Sequence, residues 1–363
     1  MGSYIFRRFL LFFPTLFGVM VVNFLIIQAA PGGPVEQTIA QIQGHAVDAT
    51  SRVGGDQSEN LSSSQSRGGD RGSSSTNSKY RGAQGLDPQL IEDLERMYGF
   101  DKPAHERFLK MVWSYLRFDF GESFYRDQTV VDMVLDKMPV SISLGLWTTV
   151  LVYLISIPLG VAKAVRDGSK LDVWTSGVIV IGNAVPGFMF AILLIVLFAG
   201  GSYFDWFPLR GLTSSEWESM GVFHKVIDYF WHLALPIASM VIGGFAGLTL
   251  LTKNSFLDEI NKQYVMTARA KGLEERKVLY GHVFRNAMLI VIAGFPSAFV
   301  NILFTGSLLT EIIFSLDGIG LLGYEATVNR DYPVMFATLY FFTLLGLIMQ
   351  LVSDMTYMLV DPR

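Results

Sequence analysis

Six stretches of at least 20 residues contain no Asp, Glu, Lys or Arg. They are residues 9–30, 139–162, 173–204, 233–252, 286–310 and 332–353. A helix of about 20 apolar residues crosses the hydrocarbon core of a bilayer while its backbone satisfies its own hydrogen bonds. The chain of 363 residues is 51% hydrophobic with a mean hydropathy of +0.39, which is too apolar for a soluble domain. These features predict an all-α integral membrane protein with six transmembrane helices.

The first stretch could also belong to a secretory signal peptide. Arg7 and Arg8 precede its apolar run, which ends near the small residues Ala29 and Ala30. The run is longer than the apolar region of a typical signal peptide, and five further stretches follow it. We therefore expect residues 1–30 to form an N-terminal segment and the first transmembrane helix.

The distribution of basic residues predicts the orientation. Thirteen Lys and Arg residues fall in one set of connections, and three fall in the short connections of the other set. The first set comprises residues 1–8, 163–172, 253–285 and 354–363, and the second comprises residues 205–232 and 311–331. Short cytoplasmic loops carry an excess of Lys and Arg. We therefore expect both termini on the cytoplasmic side.

The long connection at residues 31–138 is predicted to face outward, because long loops cross the membrane regardless of their charge. Residues 51–79 are rich in Ser and Gly, which predicts a flexible loop. Residues 87–118 contain two amphipathic helical patterns. The second pattern suits a helix on the outer membrane surface, or equally a helix that packs on neighbouring spans. Residues 139–363 follow as the core transmembrane domain with helices two to six.

The sequence contains no recognisable catalytic or nucleotide-binding site. A phosphate-binding loop needs G-x-x-x-x-G-K-[ST], and the nearest segment, residues 247–255, lacks the second Gly and the Lys-Ser/Thr pair. No G-x-S-x-G turn is present, and the absence of cysteine excludes disulfides and thiolate metal sites. The histidines are scattered without ligand spacing, at His45, His105, His224, His232 and His282. We therefore predict no enzyme, cofactor or metal on this chain.

The predicted spans also lack the buried carboxylates that proton-coupled carriers use, because all six stretches are free of formal charge. Two acids, Glu311 and Asp354, flank the fifth and sixth stretches at opposite membrane surfaces. For both, the sequence favours pairing at a helix end or interface over contact with a substrate. If the chain transports a solute, the energy must therefore enter from another protein.

Residues 254–285 form a charged segment between the fourth and fifth stretches. Burial of its basic residues at the bilayer centre would cost about 2.5–3.5 kcal/mol each, so the segment must lie outside the membrane. Apolar side chains recur every fourth residue, at Phe256, Ile260 and Tyr264. This spacing predicts a helix that continues to Gly272, and Glu274 and Glu275 suit the first turn of a second helix. We expect two short helices joined at Gly272. A partner protein could bind this pair of helices.

The same segment resembles a known signature. It contains the runs YV at 264–265, TARAKG at 267–272 and HVFRNA at 282–287. These runs are similar to the coupling loop of the membrane subunits of ATP-binding-cassette importers, in the dipeptide and oligopeptide branch. Further motifs of that branch follow in order, among them PG at 31–32, GFDKP at 99–103, DFGES at 119–123, RDYP at 330–333 and DPR at 361–363. The resemblance covers the chain outside residues 40–85.

Three departures from the usual pattern of this branch indicate which group within the branch the sequence resembles most. Gly33 stands where the branch usually has Asp, Leu316-Asp317 where it has Trp-Pro, and Ile290 near the position of a usual proline. Together with the long outer insertion, these departures are most similar to the Yej-type B permeases of the branch. The absent proline leaves open how the fifth transmembrane helix begins, but it does not alter the expected role of the loop.

The resemblance implies the type I ABC importer permease fold, with six transmembrane helices and a large periplasmic insertion between helices one and two. It implies a membrane subunit in the bacterial inner membrane that imports peptides or peptide-containing compounds by alternating access. The implied partners are a second homologous permease, a cytoplasmic ATPase that binds ATP and Mg²⁺, a periplasmic binding protein and membrane lipid, with no nucleic acid.

The resemblance also assigns the contacts with the ATPase to one short run. The residues are Thr267, Ala268, Arg269, Ala270, Lys271 and Gly272. The two alanines would allow close approach, Arg269 and Lys271 would make polar contacts, and Gly272 would form the turn. The resemblance assigns no catalytic residue, and residues that bind the substrate cannot be assigned from the sequence.

Two other classes of function compete with a transport subunit. A membrane channel or scaffold could use the same cytoplasmic projection to bind a partner that is not an ATPase. Channels carry polar or charged rings at a constriction, and the predicted spans contain few polar groups. An intramembrane hydrolase would need paired acids or a Ser-His pair within the membrane, and the sequence shows neither.

Overall fold

The computed structural model describes residues 2–29, 101–200, 203–301 and 308–360, together with positions 89, 92 and 96. These residues are almost entirely helical, and the described part of the chain contains no strand beyond one isolated bridge between Glu122 and Thr129. The helices are α1 (Gly2–Leu10), α2 (Phe12–Ala29), α3 (Ala104–Leu116), α4 (Val130–Val165), α5 (Lys170–Ala184), α6 (Gly187–Phe198), α7 (Val222–Ile260), α8 (Gln263–Ala270), α9 (Glu275–Val278), α10 (Phe284–Asn301), α11 (Leu308–Ile313), α12 (Ile319–Val328) and α13 (Tyr332–Val360). The predicted loop at 51–79 and most of the first amphipathic helix lie outside the described residues.

Five helical stretches in the described part are long and apolar enough to cross a membrane. They are Ile5–Ile26, Val130–Val165, Val222–Ile260, Glu275–Pro296 and Tyr332–Thr356. A sixth crossing results if the bent pair α5 and α6 forms one span. The predicted all-helical membrane fold is therefore confirmed, with five or six candidate spans.

The third predicted span is not the single straight helix that its composition suggested. α5 ends at Ala184 and α6 begins at Gly187, and the two axes meet at 92°. Val185 has extended backbone angles, with φ −89° and ψ 120°, and Pro186 follows it. A proline disfavours helical angles in the residue before it, which accounts for the break at this position.

The chain divides into two compact units, and the smaller one contains Thr15–Met133 and Gly323–Tyr340. Within it, α3 packs on α2 through Phe108, whose ring lies 5.8 Å from that of Phe17 and 5.2 Å from that of Phe24. The opposite side of α3 leaves Leu109 and Trp113 exposed. One face of α3 therefore packs on a neighbouring span, which was one of the two alternatives that the sequence left open.

The motifs DFGES and RDYP meet in this smaller unit. The hydroxyl of Ser123 donates a hydrogen bond to Asp331, and the backbone N–H of Phe124 donates a second one of 3.3 Å. Arg126 forms an ion pair of 2.8 Å with Glu325 nearby. Burial raises the pKa of the Asp331 carboxyl above its usual range, although these hydrogen bonds favour the charged form. The two motifs thus join the segment before α4 to the start of α13.

The larger unit comprises Met1–Pro14, Val134–Leu322 and Phe341–Arg363. In it, a network of buried charges joins the ends of α4, α5 and α7. Lys163 is fully buried, and its ammonium lies 2.9 Å from Asp172 and donates to the hydroxyl of Ser176 at 2.8 Å. Lys253 bridges Asp172 and Asp167, each at 2.8 Å. In the sequence, these lysines indicated only the orientation of the chain in the membrane. In the structure they also connect three helices.

A buried carboxylate stabilises the start of α12 in the same unit. Glu311, on α11, is fully buried and accepts a hydrogen bond of 2.7 Å from the backbone N–H of Leu321. The hydroxyl of Ser141 donates to this carboxylate at 3.3 Å and accepts from the N–H of Ile319 at 2.8 Å. The backbone of Gly318 lies so close to Glu311 that a Cβ at position 318 would be 2.8 Å from one oxygen of the carboxylate. Glu311 therefore pairs with a helix end, as the sequence favoured.

Candidate functional site

The charged segment at residues 254–285, here called the coupling segment, begins within the last turns of α7. The sequence predicted one helix from Phe256 to Gly272, and this prediction is wrong, because α7 ends at Ile260. The side chain of Asn261 donates a 2.9 Å hydrogen bond to the backbone carbonyl of Leu257, which satisfies the end of the helix. Lys262 has extended backbone angles, so α8 starts a new direction at the next residue.

A sharp corner at Gly272 joins α8 to α9, in agreement with the predicted two-helix arrangement. Gly272 has φ +77°, a left-handed backbone conformation that residues other than glycine rarely adopt. Its N–H donates to the carbonyl of Arg269 at 2.9 Å, and the N–H of Leu273 donates to that of Ala268 at 3.4 Å. These bonds satisfy the end of α8. Glu275 is the first residue of α9, where the helix dipole favours an acid.

One face of α8 packs against the rest of the chain. Val265 is fully buried and Ala268 is 7% exposed. Both belong to an apolar cluster with residues from α4, α7 and α10, including Ala164, Phe256 and Ala287. Ala268 was expected to allow close approach of a partner, but its side chain faces the interior of this chain. A small residue is needed there for contact between helices of the same subunit.

The opposite face of α8 and the corner are exposed. Thr267, Ala270 and Lys271 lie on this surface, as do two large apolar side chains. Met266 is 62% exposed and Leu273 is 39% exposed. Neither residue was among those predicted from the sequence to contact a partner. Their signal was present, because both are large apolar residues in a segment that cannot enter the membrane and both lie off the buried stripe.

Tyr264 ties α8 to the two long helices beside it. Its hydroxyl donates a hydrogen bond of 2.7 Å to Glu259 at the end of α7 and accepts one of 3.2 Å from the side chain of Asn286 on α10. Burial raises the pKa of the Tyr264 hydroxyl above its usual range, and the neighbouring Glu259 carboxylate raises it further. The tyrosine therefore stays protonated and acts as a fixed hydrogen-bonded link.

The basic residues of the run TARAKG have different environments. The guanidinium of Arg269 makes two hydrogen bonds to Glu275, from Nε to Oε1 at 2.8 Å and from Nη2 to Oε2 at 3.1 Å. Lys271 is exposed and forms no ion pair with any residue that the structure describes. Both residues were predicted to make polar contacts with a partner, but in the structure only Lys271 is left without an ion pair among the described residues.

The connection from α9 to α10 is a π-helix over Leu279–Val283. A π turn has one residue more than an α turn, and such turns are frequent at functional sites. Val283 is buried in the same apolar cluster as Val265, whereas Tyr280 is 55% exposed. The fifth span thus continues from the coupling segment without the proline that is usual in the branch.

Of the remaining candidate residues, those in the described part of the chain form no group that could hold a metal ion. Asp354 forms an ion pair of 2.8 Å with Arg8, which agrees with the pairing role that the sequence favoured. Among the residues that the structure describes, no group of three His, Asp or Glu side chains could hold a metal ion. The coupling segment is therefore the candidate functional site.

Comparison with known proteins identifies the class of this chain. Residues 156–363, more than half of the sequence, match the family model described as binding-protein-dependent transport system inner membrane component. The chain belongs to this family of permeases. The match includes the whole coupling segment, so the candidate site lies within the region that defines the family.

Individual relatives extend the similarity over the whole of this chain. It is 60% identical to the peptidoglycan transport system permease protein YejB of Agrobacterium fabrum and 58% identical to the inner membrane ABC transporter permease protein YejB of Escherichia coli O157:H7. Both alignments cover 100% of this chain and 98% of the relative. The oligopeptide transport system permease protein AppB of Bacillus subtilis is 32% identical over 100% of this chain and 99% of its own length. The resemblance to Yej-type permeases is confirmed.

These findings establish the general nature of the protein. The permease is a multi-pass protein of the inner membrane and a transport subunit of an ABC system. A self-contained channel or scaffold is not favoured, because the relatives are permease proteins of a peptidoglycan transport system, an ABC transporter and an oligopeptide transport system.

Proposed function

We propose that the permease is one of two membrane subunits of an ATP-driven importer that moves peptides or peptide-containing compounds into the cytoplasm. A periplasmic binding protein would deliver the substrate to a pathway formed with a second homologous permease. A separate cytoplasmic ATPase would bind ATP and Mg²⁺, and this chain would carry no cofactor. The relatives support the substrate class, because they include permeases of a peptidoglycan transport system and of an oligopeptide transport system.

The observation that carries the proposal is the exposed surface of the coupling segment. It presents Met266, Ala270, Lys271 and Leu273 around the corner at Gly272. Apolar anchors beside a basic group form a surface of the kind that protein partners bind. A segment whose charges exclude it from the bilayer must be covered by protein or water, and the two exposed apolar side chains favour protein.

Contact with the ATPase would involve the outer face of α8 and not all of the run TARAKG. Thr267, Ala270, Lys271 and Gly272 are accessible to a partner. Ala268 faces the interior and would act as a spacer between helices of the permease. We propose in addition that the coupling segment and both termini lie in the cytoplasm, because the Lys and Arg residues concentrate in these connections. Residues 31–138 would then form a periplasmic insertion.

Movement of the ATPase would reach the membrane through three connected elements. α8 is linked by hydrogen bonds to α7 and α10, and its apolar face packs on α4. A displacement of α8 would therefore move the ends of these helices together. Alternating access would follow from rigid-body rocking of such helices, driven by closure of the ATPase on its nucleotide.

The proposal can be tested with a disulfide crosslink, since the chain contains no native cysteine. Ala270→Cys would be expressed with the ATPase carrying single cysteines along the groove that is expected to hold α8. We expect a disulfide whose yield changes when ATP is added. Ala268→Cys is a matched control, because this position lies two residues away on the buried face, and it should not crosslink.

Two outcomes would contradict the proposal. The first is the absence of a crosslink from Ala270→Cys to every groove position while both proteins are present and folded. The second is an equally strong crosslink from Ala268→Cys, which would show that the exposed face of α8 is not the contact surface. The first result would favour a scaffold or channel whose partner is not an ATPase, and the second would contradict only the proposed contact face of α8.

A further inference from the structure

The corner of the coupling segment is closed by one pair of side chains. Arg269 lies in the last turn of α8 and Glu275 is the first residue of α9, six positions later. Both oxygens of the glutamate are used, with bonds of 2.8 and 3.1 Å to the same guanidinium. A bidentate pair of this kind fixes direction as well as distance, because the planar guanidinium matches the carboxylate.

The backbone is weakly restrained at the turning residue, because Gly272 permits the turn but restricts the backbone less than any other residue would. The apolar cluster buries Val278 of α9 together with Ala268 of α8. Beside the ion pair, however, lies a cavity of about 340 Å³, lined by Arg269 and Glu275 together with apolar side chains such as Ile260. Packing therefore leaves the space next to these two charged side chains unfilled. α9 is only four residues long, so its own hydrogen bonds contribute little rigidity.

The pair is poorly placed to contribute to stability and well placed to set orientation. The Arg269 and Glu275 side chains are 41% and 72% exposed, and ion pairs at such positions contribute little to the free energy of unfolding. The charges match the helix ends, because a basic residue suits the end of α8 and an acid suits the start of α9. Loss of the pair would loosen the angle between the helices without unfolding the chain.

We infer that Arg269 is a positioning residue that acts through Glu275 to hold the angle between α8 and α9. Met266, Lys271 and Leu273 are then presented to the ATPase as one surface. Arg269 is not itself a contact with the ATPase. This inference rests on the proposed function. It gives different roles to two basic residues that were both predicted to contact the ATPase: Lys271 contacts the partner, and Arg269 contacts its own chain.

A charge exchange tests the inference in the complete transporter. The variants Arg269→Glu, Glu275→Arg and the combination of both would be reconstituted into liposomes with the second permease, the ATPase and the binding protein. The measured quantity is substrate taken up per ATP hydrolysed. We expect each single variant to lower this ratio by about threefold or more, and the double variant to recover most of it.

Three controls make the result specific. Lys271→Glu should lower the ratio, and the added change Glu275→Arg should not restore it, because Lys271 does not pair with that acid. The single variants should unfold at nearly the temperature of the wild type, which a purely stabilising pair would not allow. Arg269→Lys should recover only part of the ratio, because an ammonium cannot form the bidentate pair.

The outcomes distinguish failure of the inference from failure of the proposed function. A double variant that transports no better than Arg269→Glu would overturn the inference, since it would indicate that Arg269 contacts the ATPase directly. Single variants with unchanged ratios would overturn it as well. If the wild-type complex showed no ATP-dependent uptake of any peptide, the proposed function would fail regardless of this pair.

Discussion

Gly318→Ala should destabilise the permease because its methyl group would displace a buried carboxylate. A Cβ at this position would lie 2.8 Å from Oε2 of Glu311 and closer still to the rest of the carboxylate. Real Cβ atoms essentially never approach a heavy atom within 3.0 Å, so the glutamate would have to move. The side chain is fully buried and hydrogen-bonded at both Leu321 and Ser141, so a shift of its carboxylate would strain these bonds without a gain of contact with solvent.

The magnitude follows from the hydrogen bonds that would be strained or lost. The carboxylate accepts the N–H of Leu321 at 2.7 Å and the hydroxyl of Ser141 at 3.3 Å. An unsatisfied buried partner costs about 1–3 kcal/mol, and more when a charged group is involved. Loss of one or both bonds would lower the free energy of unfolding by about 2–5 kcal/mol, which for a chain of 363 residues corresponds to a decrease in Tm of about 3–7 °C.

Thermal unfolding of the purified permease in detergent, followed by tryptophan fluorescence, would measure this decrease. Gly323→Ala is a matched control in α12, because its nearest neighbour to a new Cβ is the hydroxyl of Thr338 at an ordinary 3.7 Å. That variant should keep the wild-type Tm or gain about 0.5–1 kcal/mol, since alanine favours helix over glycine. Equal Tm values for Gly318→Ala and Gly323→Ala would refute the reasoning.

Two further predictions concern the coupling corner and the smaller unit. At Gly272, alanine should cost about 1–2 kcal/mol because of the left-handed conformation, asparagine less, and proline should be incompatible with φ +77°. Uptake per ATP should therefore fall in the order Gly, Asn, Ala, Pro, and normal coupling in Gly272→Pro would contradict this account. The raised pKa of Asp331 means that its stabilising contribution is complete below the ordinary value of 3.8 and is lost as the pH rises through the raised value. Asp331→Asn should thus gain Tm relative to the wild type between about pH 4 and pH 7, and a growing advantage of the wild type would refute the assignment.

The membrane fold was largely predictable, because freedom from charge over 20 residues is a strong physical requirement for a span. The break in the third span was not predictable from its proline alone. Pro158, Pro236 and Pro296 lie inside continuous helices, whereas Pro186 lies between two helices at 92°. Whether a proline breaks a helix depends on whether neighbouring groups satisfy the freed carbonyls, and this information is not local to the sequence.

The candidate site was predictable in outline only. Gly272 could be placed at a corner, since glycine is favoured where the backbone turns left-handed. The buried face of α8 could not be assigned, because an eight-residue helix with Val265 on one face and Met266 on another gives no decisive pattern. The partner of Arg269 also escaped prediction, because its distance from Glu275 depends on the three-dimensional course of the turn.

The unbroken length of α7 gives the permease a lever. With 39 residues it is about 58 Å long, which exceeds the thickness of a bilayer including its headgroups. A tilt of about 10° around its midpoint displaces each end by about 5 Å in opposite directions, close to one helical turn. Only Asn261 and Lys262 separate this lever from α8. A displacement of the far end of α7 would therefore also displace the coupling segment, before any substrate had crossed the membrane.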